Sequence, residues 1–451
     1  MSAEFDPPMD YSSSPSSRGC PTVLQLISRL DGGGSGRIAI ELSSTVSEAG
    51  GRALIAYDGE AATYELTRYG ITPVEEKLTS RNPVSAYNVV RRLAAVIAQH
   101  KVDIVHAQNA SLAAIGAAAA KKAQCKLVTT FHDGPGHLNS LTKKTRAAFA
   151  SSDHVVTLSY LSANEIATAM PDLHSRISVV PYGVDLSRFD PARVAAQRVI
   201  QLATQWRLPD DRPVIMLPGR FAPQKGHGQL IEALAELKDL ELRCIMVGPS
   251  PDGGAYREQL ENKIRAHGLD DRIQLTDECR DMPAALMLAD LVLAPYLEPS
   301  TYNRVLIEAQ ALGRPLIASD FPYAREMVDG SSMAWLASPK DKAALAWAIR
   351  DALSLPTEER ELRAEQVIEN LRQRSNRDIM CQQMLSLYAN IAAGTATGDA
   401  APLDEMNASQ IEVGQQIDAN LADPAAARLS ASDLAPLAAE SDSYRPRTLA
   451  D

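Results

Sequence analysis

Val214-Ile-Met-Leu-Pro-Gly-Arg-Phe-Ala-Pro-Gln-Lys-Gly226 is a short aliphatic run followed by a loop with two glycines and two cations. Such a run reads as a buried strand, and Gly228–Leu237 just beyond it has the apolar spacing of a helix. Strand, glycine-bearing turn and helix make one βα unit. The unit recurs downstream, with strands expected at Arg243–Val247, Ile273–Leu275, Leu291–Ala294 and Pro315–Ala318. Helices fall between them at Tyr256–His267, Met282–Ala289 and Val305–Leu312.

An equivalent series lies upstream. Strands are expected at Thr22–Ser28, Arg52–Tyr57, Asp103–His106, Lys126–Phe131, His154–Leu158 and Ile177–Val180, with helices at Arg37–Ala49, Ala86–His100 and Ser111–Lys122. Alternation of this kind predicts α/β architecture: two Rossmann-like, doubly wound domains, each with a parallel sheet covered on both faces. Ligands of such sheets sit outside the carboxyl ends of the strands, here in the cleft between domains.

Pro191, Pro209 and Pro213 punctuate a charged segment and place the boundary there. The expected organisation is a disordered head over 1–19 and a first Rossmann-like domain over 20–190. A second follows over 191–392 and includes the terminal helices, ahead of an acidic, Ala-rich, mostly disordered tail over 393–451.

The net charge of −11 is carried mainly by the ends. Residues 393–451 hold ten acids and three arginines, and residues 1–19 hold three acids and one arginine. The body is therefore close to neutral, which argues against nucleic acid as a partner. Five scattered cysteines without a C-x-x-C pair fit a reducing, cytoplasmic setting and no cysteine metal site. No stretch approaches the ~18 apolar residues of a spanning helix. The polar N-terminus does not resemble a signal peptide.

Four groups of residues carry candidate chemistry. Arg220 and Lys225, with Gly219 letting the backbone approach, lie on a loop that opens a helix, an arrangement suited to an anion. Glu308 stands among Val305, Leu306, Ile307, Ala309 and Ala311. A carboxylate in that setting needs a partner: either Arg304 one turn earlier, or a sugar diol. The Gly-rich turn at 31–36, with Gly33 and Gly34, is read as approaching a diphosphate or as a plain turn. Its Gly34-Ser-Gly-Arg-Ile-Ala39 also fits the outline of a dinucleotide fingerprint, with Asp58 about twenty residues on. His132 follows a strand end, where it can bond a sugar hydroxyl or phosphate or simply hold a turn, and His106 and Gln108 end the neighbouring strand and are read as lining the same cleft. Lys121, Lys122, Lys126, Lys143, Lys144 and Arg146 make the first half locally basic. They are read as solvated faces or as a weak contact with anionic headgroups. No H-E-x-x-H or D-x-D pattern marks a metal site.

Together these segments resemble the family 4 glycosyltransferases of GT-B fold, over about residues 22–391. The match runs through Val23–Leu42, Asp103–His106, Val179-Val-Pro-Tyr-Gly-Val-Asp-Leu-Ser-Arg-Phe189, Leu217–Gly226, Met246–Gly248, Asp281–Ala285, Ala289–Pro295 and Ile307–Ala318. It is most similar to bacterial members acting on lipopolysaccharide or other envelope polysaccharides. The resemblance implies a nucleoside-diphosphate-sugar donor, a glycan or lipid-linked acceptor, retention at the anomeric carbon, and no metal or cofactor. By position, Arg220 and Lys225 would hold the diphosphate and Glu308 the ribose. The backbone around Asn303, Arg304, Val305 and Leu306 would cap the distal phosphate and sugar. Residues around Ile273 would flank the base, and His132 would stand near the reacting centre.

The chain departs from the family at the sugar subsite. The first acid of the E-x7-E pattern is Ser300, the following aromatic-glycine pair is Tyr302-Asn303, and the usual Gly-Gly ahead of Glu326 is Pro322-Tyr323. Tyr182 stands where many members have Asn. Losing a charge-assisted hydrogen bond costs about 1.5–3 kcal/mol. These departures keep open a non-catalytic, accessory nucleotide-binding homologue. The glycine-rich turn keeps open a dinucleotide-dependent oxidoreductase.

Overall fold

The computed structural model describes residues 20–28, 30, 34–58, 63–78, 82–132, 142–209, 211–277, 279–299 and 302–395. The head over 1–19, the tail from 396 onward, Gly33 and Ser300 lie outside the described residues.

Seven strands form the first sheet: β1 (Thr22–Leu26), β2 (Arg52–Tyr57), β3 (Ile71–Glu75), β4 (Ile104–Ala107), β5 (Lys126–Phe131), β6 (His154–Thr157) and β7 (Ile177–Val179). Their order is β3-β2-β1-β4-β5-β6-β7, every pair parallel. The second sheet comprises β8 (Val214–Pro218), β9 (Arg243–Val247), β10 (Ile273–Thr276), β11 (Leu291–Ala294), β12 (Leu316–Ser319) and β13 (Ala334–Ala337). Its order is β10-β9-β8-β11-β12-β13, also parallel. Strand order reverses at β1/β4 and at β8/β11, which opens a crevice at the carboxyl ends of each sheet. The doubly wound GT-B architecture expected from sequence is the observed one.

Two strands, β3 and β13, have no counterpart in the sequence reading. Both are edge strands, and both are only partly buried. Pro73 interrupts β3, as edge strands tolerate. β3 lacks the continuous apolar run that marks the central strands, and the apolar Ala334–Ala337 of β13 spans only four residues.

The chain crosses to the second half at Gly183-Val184 and returns at Ser375–Arg377. The two passages are hydrogen-bonded to each other. Val184 N–H donates to Ser375 O (2.7 Å), and Arg377 N–H donates to Val184 O (3.1 Å). A Cβ on Gly183 would overlap the backbone of Asn376 and Arg377, so the approach requires glycine.

Sequence order groups the last helix, Arg377–Ala393, with the second half. It packs on the first sheet instead, because the return crossing precedes it. Met380, Met384, Leu387, Tyr388 and Ile391 share a core with Val23, Ile38, Ala53 and Ile104. The Tyr388 hydroxyl reaches the middle of that sheet. Gln25 Nε2 donates to it (3.2 Å), and His106 Nδ1 lies 2.6 Å away. All three side chains are fully buried. Tyr388→Phe therefore strands two buried polar groups. It is expected to cost about 1–3 kcal/mol, read as a lower urea midpoint with an unchanged slope.

Candidate functional site

The loop after β8 is held by close backbone approaches. Gly219 adopts φ +153°, a region that side-chain-bearing residues avoid, and its N–H donates to Val247 O (2.9 Å). A Cβ on Gly248 would overlap the Gly219 carbonyl, so the loops after β8 and β9 touch. Pro223–Lys225 forms one 3₁₀ turn and Gly226 follows with φ +78°. Gly226 lies against the Pro295 carbonyl, and Leu297 N–H donates to Gln224 O (2.9 Å). The loop thereby rests on the chain leaving β11.

This packing orients the two cations differently. Arg220 is exposed. Lys225 Nζ sits 3.7 Å from the centroid of the Tyr296 ring. Burial, with a smaller contribution from Arg220, lowers the Lys225 ammonium to about 8. The Tyr296 hydroxyl donates to Asn303 Oδ1 (3.1 Å), and the same oxygen accepts from Val305 N–H (3.2 Å). Asn303 is thus the N-cap of the helix Arg304–Ala311. Loop, ring, cap and helix form one connected line.

Glu308 lies on that helix and is only 7% exposed. Arg304 Nη2 (2.6 Å) and Nε (3.1 Å) both donate to its Oε1. The partner that sequence spacing offered is therefore made. Arg304, Glu308 and Tyr302 line a cleft whose opposite wall is Arg37 and Glu41 of the helix Gly34–Glu48, with Gly183 at its base. Desolvation, offset by Arg37, raises the Glu41 carboxyl.

His132 follows β5 and is brought to the second half through an aromatic contact. The Tyr182 hydroxyl lies 2.9 Å from His132 Nδ1, and Gln108 Oε1 lies 3.4 Å from Nε2. The Tyr182 ring meets Tyr302 edge-on at 4.4 Å. Burial lowers His132 to about 4, so it is neutral at pH 7.

Several expectations change. His106, expected in the cleft, is fully buried between Tyr388 and Thr130. Ile273 and Leu306 bury their side chains in the cores of the second half, so they offer only backbone to a ligand. The Leu306 N–H is taken by Asn303 O (3.1 Å) and the Val305 N–H by the Asn303 side chain, so an anion there has to displace the cap. Gly34 opens its helix. Among the basic residues, Lys126 pairs with Asp153 and Arg146 bonds Ala169 O, while Lys121, Lys122 and Lys143 stay exposed. Tyr296, which links the cations to Asn303, was missed. Its signal is its position just past β11, at the same strand-end level as the residues that were found.

Two family models match the chain: Glycosyltransferase Family 4 over residues 32–188 and Glycosyl transferases group 1 over residues 200–374. A GDP-mannose-dependent alpha-(1-6)-phosphatidylinositol monomannoside mannosyltransferase of Mycolicibacterium smegmatis is 27% identical over 337 residues, covering 67% of this chain and 85% of that protein. An alpha-D-kanosaminyltransferase of Streptomyces kanamyceticus is 31% identical over 185 residues, 40% of this chain and 45% of that one. The chain thus matches less than half the length of the second relative. A glycosyltransferase structure from Rickettsia africae superposes with a TM-score of 0.75 at 24% identity, covering 83% of this chain and 99% of that one. Anabaena HepE, solved with UDP and glucose, gives 0.71 at 22% identity, covering 82% and 100%. These two structures share the fold.

The depressed Lys225 predicts a pH dependence for any anion taken by this loop. The ammonium is present below about 8 and is lost above it. UDP binding measured by calorimetry is expected to weaken roughly tenfold between pH 7 and 9.5. Lys225→Arg, which stays charged, should flatten that decline.

Proposed function

The chain is a family 4 glycosyltransferase of GT-B fold, and on that premise we propose that it moves a sugar from a nucleoside-diphosphate sugar to an envelope glycan or glycolipid, with retention. The observation that carries this reading is the line from Lys225 through Tyr296 and Asn303 to the helix bearing Glu308. It ties the loop bearing a desolvated cation and an exposed one to the helix bearing a buried carboxylate, which is the chemistry of a diphosphate and a ribose diol.

In this mechanism Arg220 and Lys225 stabilise the charge that grows on the departing nucleoside diphosphate. They supply that charge from side chains, so the proposal includes neither metal nor cofactor. Glu308 has to exchange Arg304 for the ribose hydroxyls. The acceptor hydroxyl enters from the first half, on the face from which the diphosphate leaves. A phosphate oxygen of the leaving group takes the acceptor proton as the new glycosidic bond forms. His132, neutral and tied to Tyr182, orients hydroxyls without changing charge. A lipid-linked acceptor is supported by the mycobacterial relative, whose name specifies a phosphatidylinositol monomannoside.

Among the described residues no helix is long and apolar enough to cross a membrane. We place the reaction at the cytoplasmic face of a membrane, with Lys121, Lys122 and Lys143 giving at most a weak contact with anionic headgroups. The accessory reading, nucleotide binding without turnover, draws support from one feature: Arg304 already occupies Glu308 Oε1.

A panel of UDP- and GDP-sugars, read by calorimetry and by transfer or hydrolysis, separates the two. The double variant Arg220→Ala/Lys225→Ala should lose about a hundredfold or more in nucleotide affinity and in turnover. Unchanged turnover in that variant overturns the mechanism. UDP or GDP binding without turnover of any donor establishes the accessory reading.

A further inference from the structure

Away from the nucleotide loop, the two halves meet at the first turn of the helix Tyr160–Ala169. A helix start leaves four backbone N–H groups without intrahelical partners. Here Ser159 Oγ accepts from Ser162 N–H (3.1 Å), and the first intrahelical bond runs from Ala163 N–H to Ser159 O (3.1 Å). Two more of the free groups, on Tyr160 and Leu161, are satisfied from the opposite half. Glu326 Oε1 accepts from Tyr160 N–H (2.8 Å), and Glu326 Oε2 accepts from Leu161 N–H (3.3 Å). Glu326 lies on the short helix Pro322–Val328, whose Ala324, Met327 and Val328 pack into the core of the second half. The receiving helix packs its Ala163 and Ile166 under β5 to β7 of the first half.

One turn away, the Tyr323 ring is 2% exposed although it stands at a boundary between halves. Ser162 Oγ donates to its hydroxyl (3.3 Å), which in turn points to Glu165 Oε2 at 3.5 Å. The ring fills space that a Gly-Gly pair would leave empty. Neither Glu326 nor Tyr323 lines the cleft around Glu308. Both side chains bond across from the second half to the helix Tyr160–Ala169 of the first.

We propose that Glu326 and Tyr323 are positioning residues for the transfer reaction: a carboxylate cap and a buried phenol from the second half that bolt it to the helix Tyr160–Ala169 and set the closed spacing of the cleft. Opening has to break these bonds to admit donor and to release product, and closure remakes them to exclude water. A carboxylate on a helix start gains from both hydrogen bonds and the helix dipole, so its loss acts on the closed form alone. The catalytic part of this inference rests on the glycosyl-transfer reading. The conformational part does not.

The test uses the full chain with Glu326→Ala, Glu326→Gln and Tyr323→Phe. Small-angle X-ray scattering without ligand reads the spacing. UDP and GDP calorimetry reads the nucleotide loop. Hydrolysis or transfer from UDP-glucose and GDP-mannose reads turnover. Glu326→Ala is expected to enlarge the radius of gyration and lower turnover ten- to a hundredfold, with UDP or GDP affinity within about twofold. Glu326→Gln, which keeps one acceptor oxygen, should recover part of both effects, and Tyr323→Phe should fall between Gln and wild type. Unchanged scattering in Glu326→Ala overturns the proposal, as does a loss of nucleotide affinity as large as the loss of turnover. If neither donor is consumed by the wild type, the transfer reading is in question and the scattering alone decides the bolt.

Discussion

Two backbones lying directly against each other at Gly183 and Asn376 govern the rest of the molecule. The chain enters the second half and leaves it at one point, where the two passages pair. Arg377 closes the crossing with an ion pair to Asp185 (2.9 Å). A single shared crossing lets the second half turn as a body without stretching either passage. It also fixes which surfaces face each other: the carboxyl ends of both sheets, with the helix Gly34–Glu48 opposite the helix Arg304–Ala311. Any side chain at 183 would push the passages apart, and the facing walls of the cleft would lose their relation.

Within that frame, the Lys225 environment works against its own charge. A fall from 10.5 to about 8 corresponds to roughly 3 kcal/mol against the ammonium form, at about 1.4 kcal/mol per unit. The Tyr296 face, worth about 2 kcal/mol when desolvated, does not cancel the loss of water. A dianionic diphosphate relieves this imbalance more than any neutral ligand, and the gain grows as negative charge moves onto the leaving group. Arg220, exposed and always charged, is free of that penalty and suits first contact. The two cations therefore stand in unequal environments although only five residues apart in sequence.

The central strands were legible because burial on both faces writes continuous aliphatic runs, and Arg52–Tyr57, Lys126–Phe131, Val214–Pro218, Arg243–Val247 and Leu291–Ala294 match the observed bounds. The edge strands β3 and β13 were not: Pro73 and Glu75 break the run in β3, and β13 is a run of four residues too short to tell from a buried turn of helix. Spacing alone raised the Arg304–Glu308 pair, an i, i+4 relation on one helix. It could not show that Asn303 spends its oxygen on Tyr296 and Val305, because that depends on a loop seven residues upstream folding back. The place of the last helix was equally hidden. Nothing in Arg377–Ala393 marks the first sheet as its partner, and only the position of the return crossing decides it.

A buried polar chain stands behind His132, which burial keeps neutral. Gln25 Nε2 donates to the Tyr388 hydroxyl, which can then donate to His106 Nδ1, leaving His106 Nε2–H to donate to Thr130 Oγ1 (2.7 Å). Gln108 Nε2 donates to Gln25 Oε1 (2.6 Å), so Gln108 Oε1 is the acceptor left for His132 Nε2–H. The Tyr182 hydroxyl faces both ring nitrogens of His132, 2.9 Å from Nδ1 and 3.0 Å from Nε2. Both imidazoles are neutral, lowered to about 3 and about 4 by burial. A lone pair already engaged by Tyr182 is a poor base for an acceptor hydroxyl. The same geometry that ties His132 to Tyr182 and Tyr302 therefore favours a route in which the acceptor proton leaves with the diphosphate.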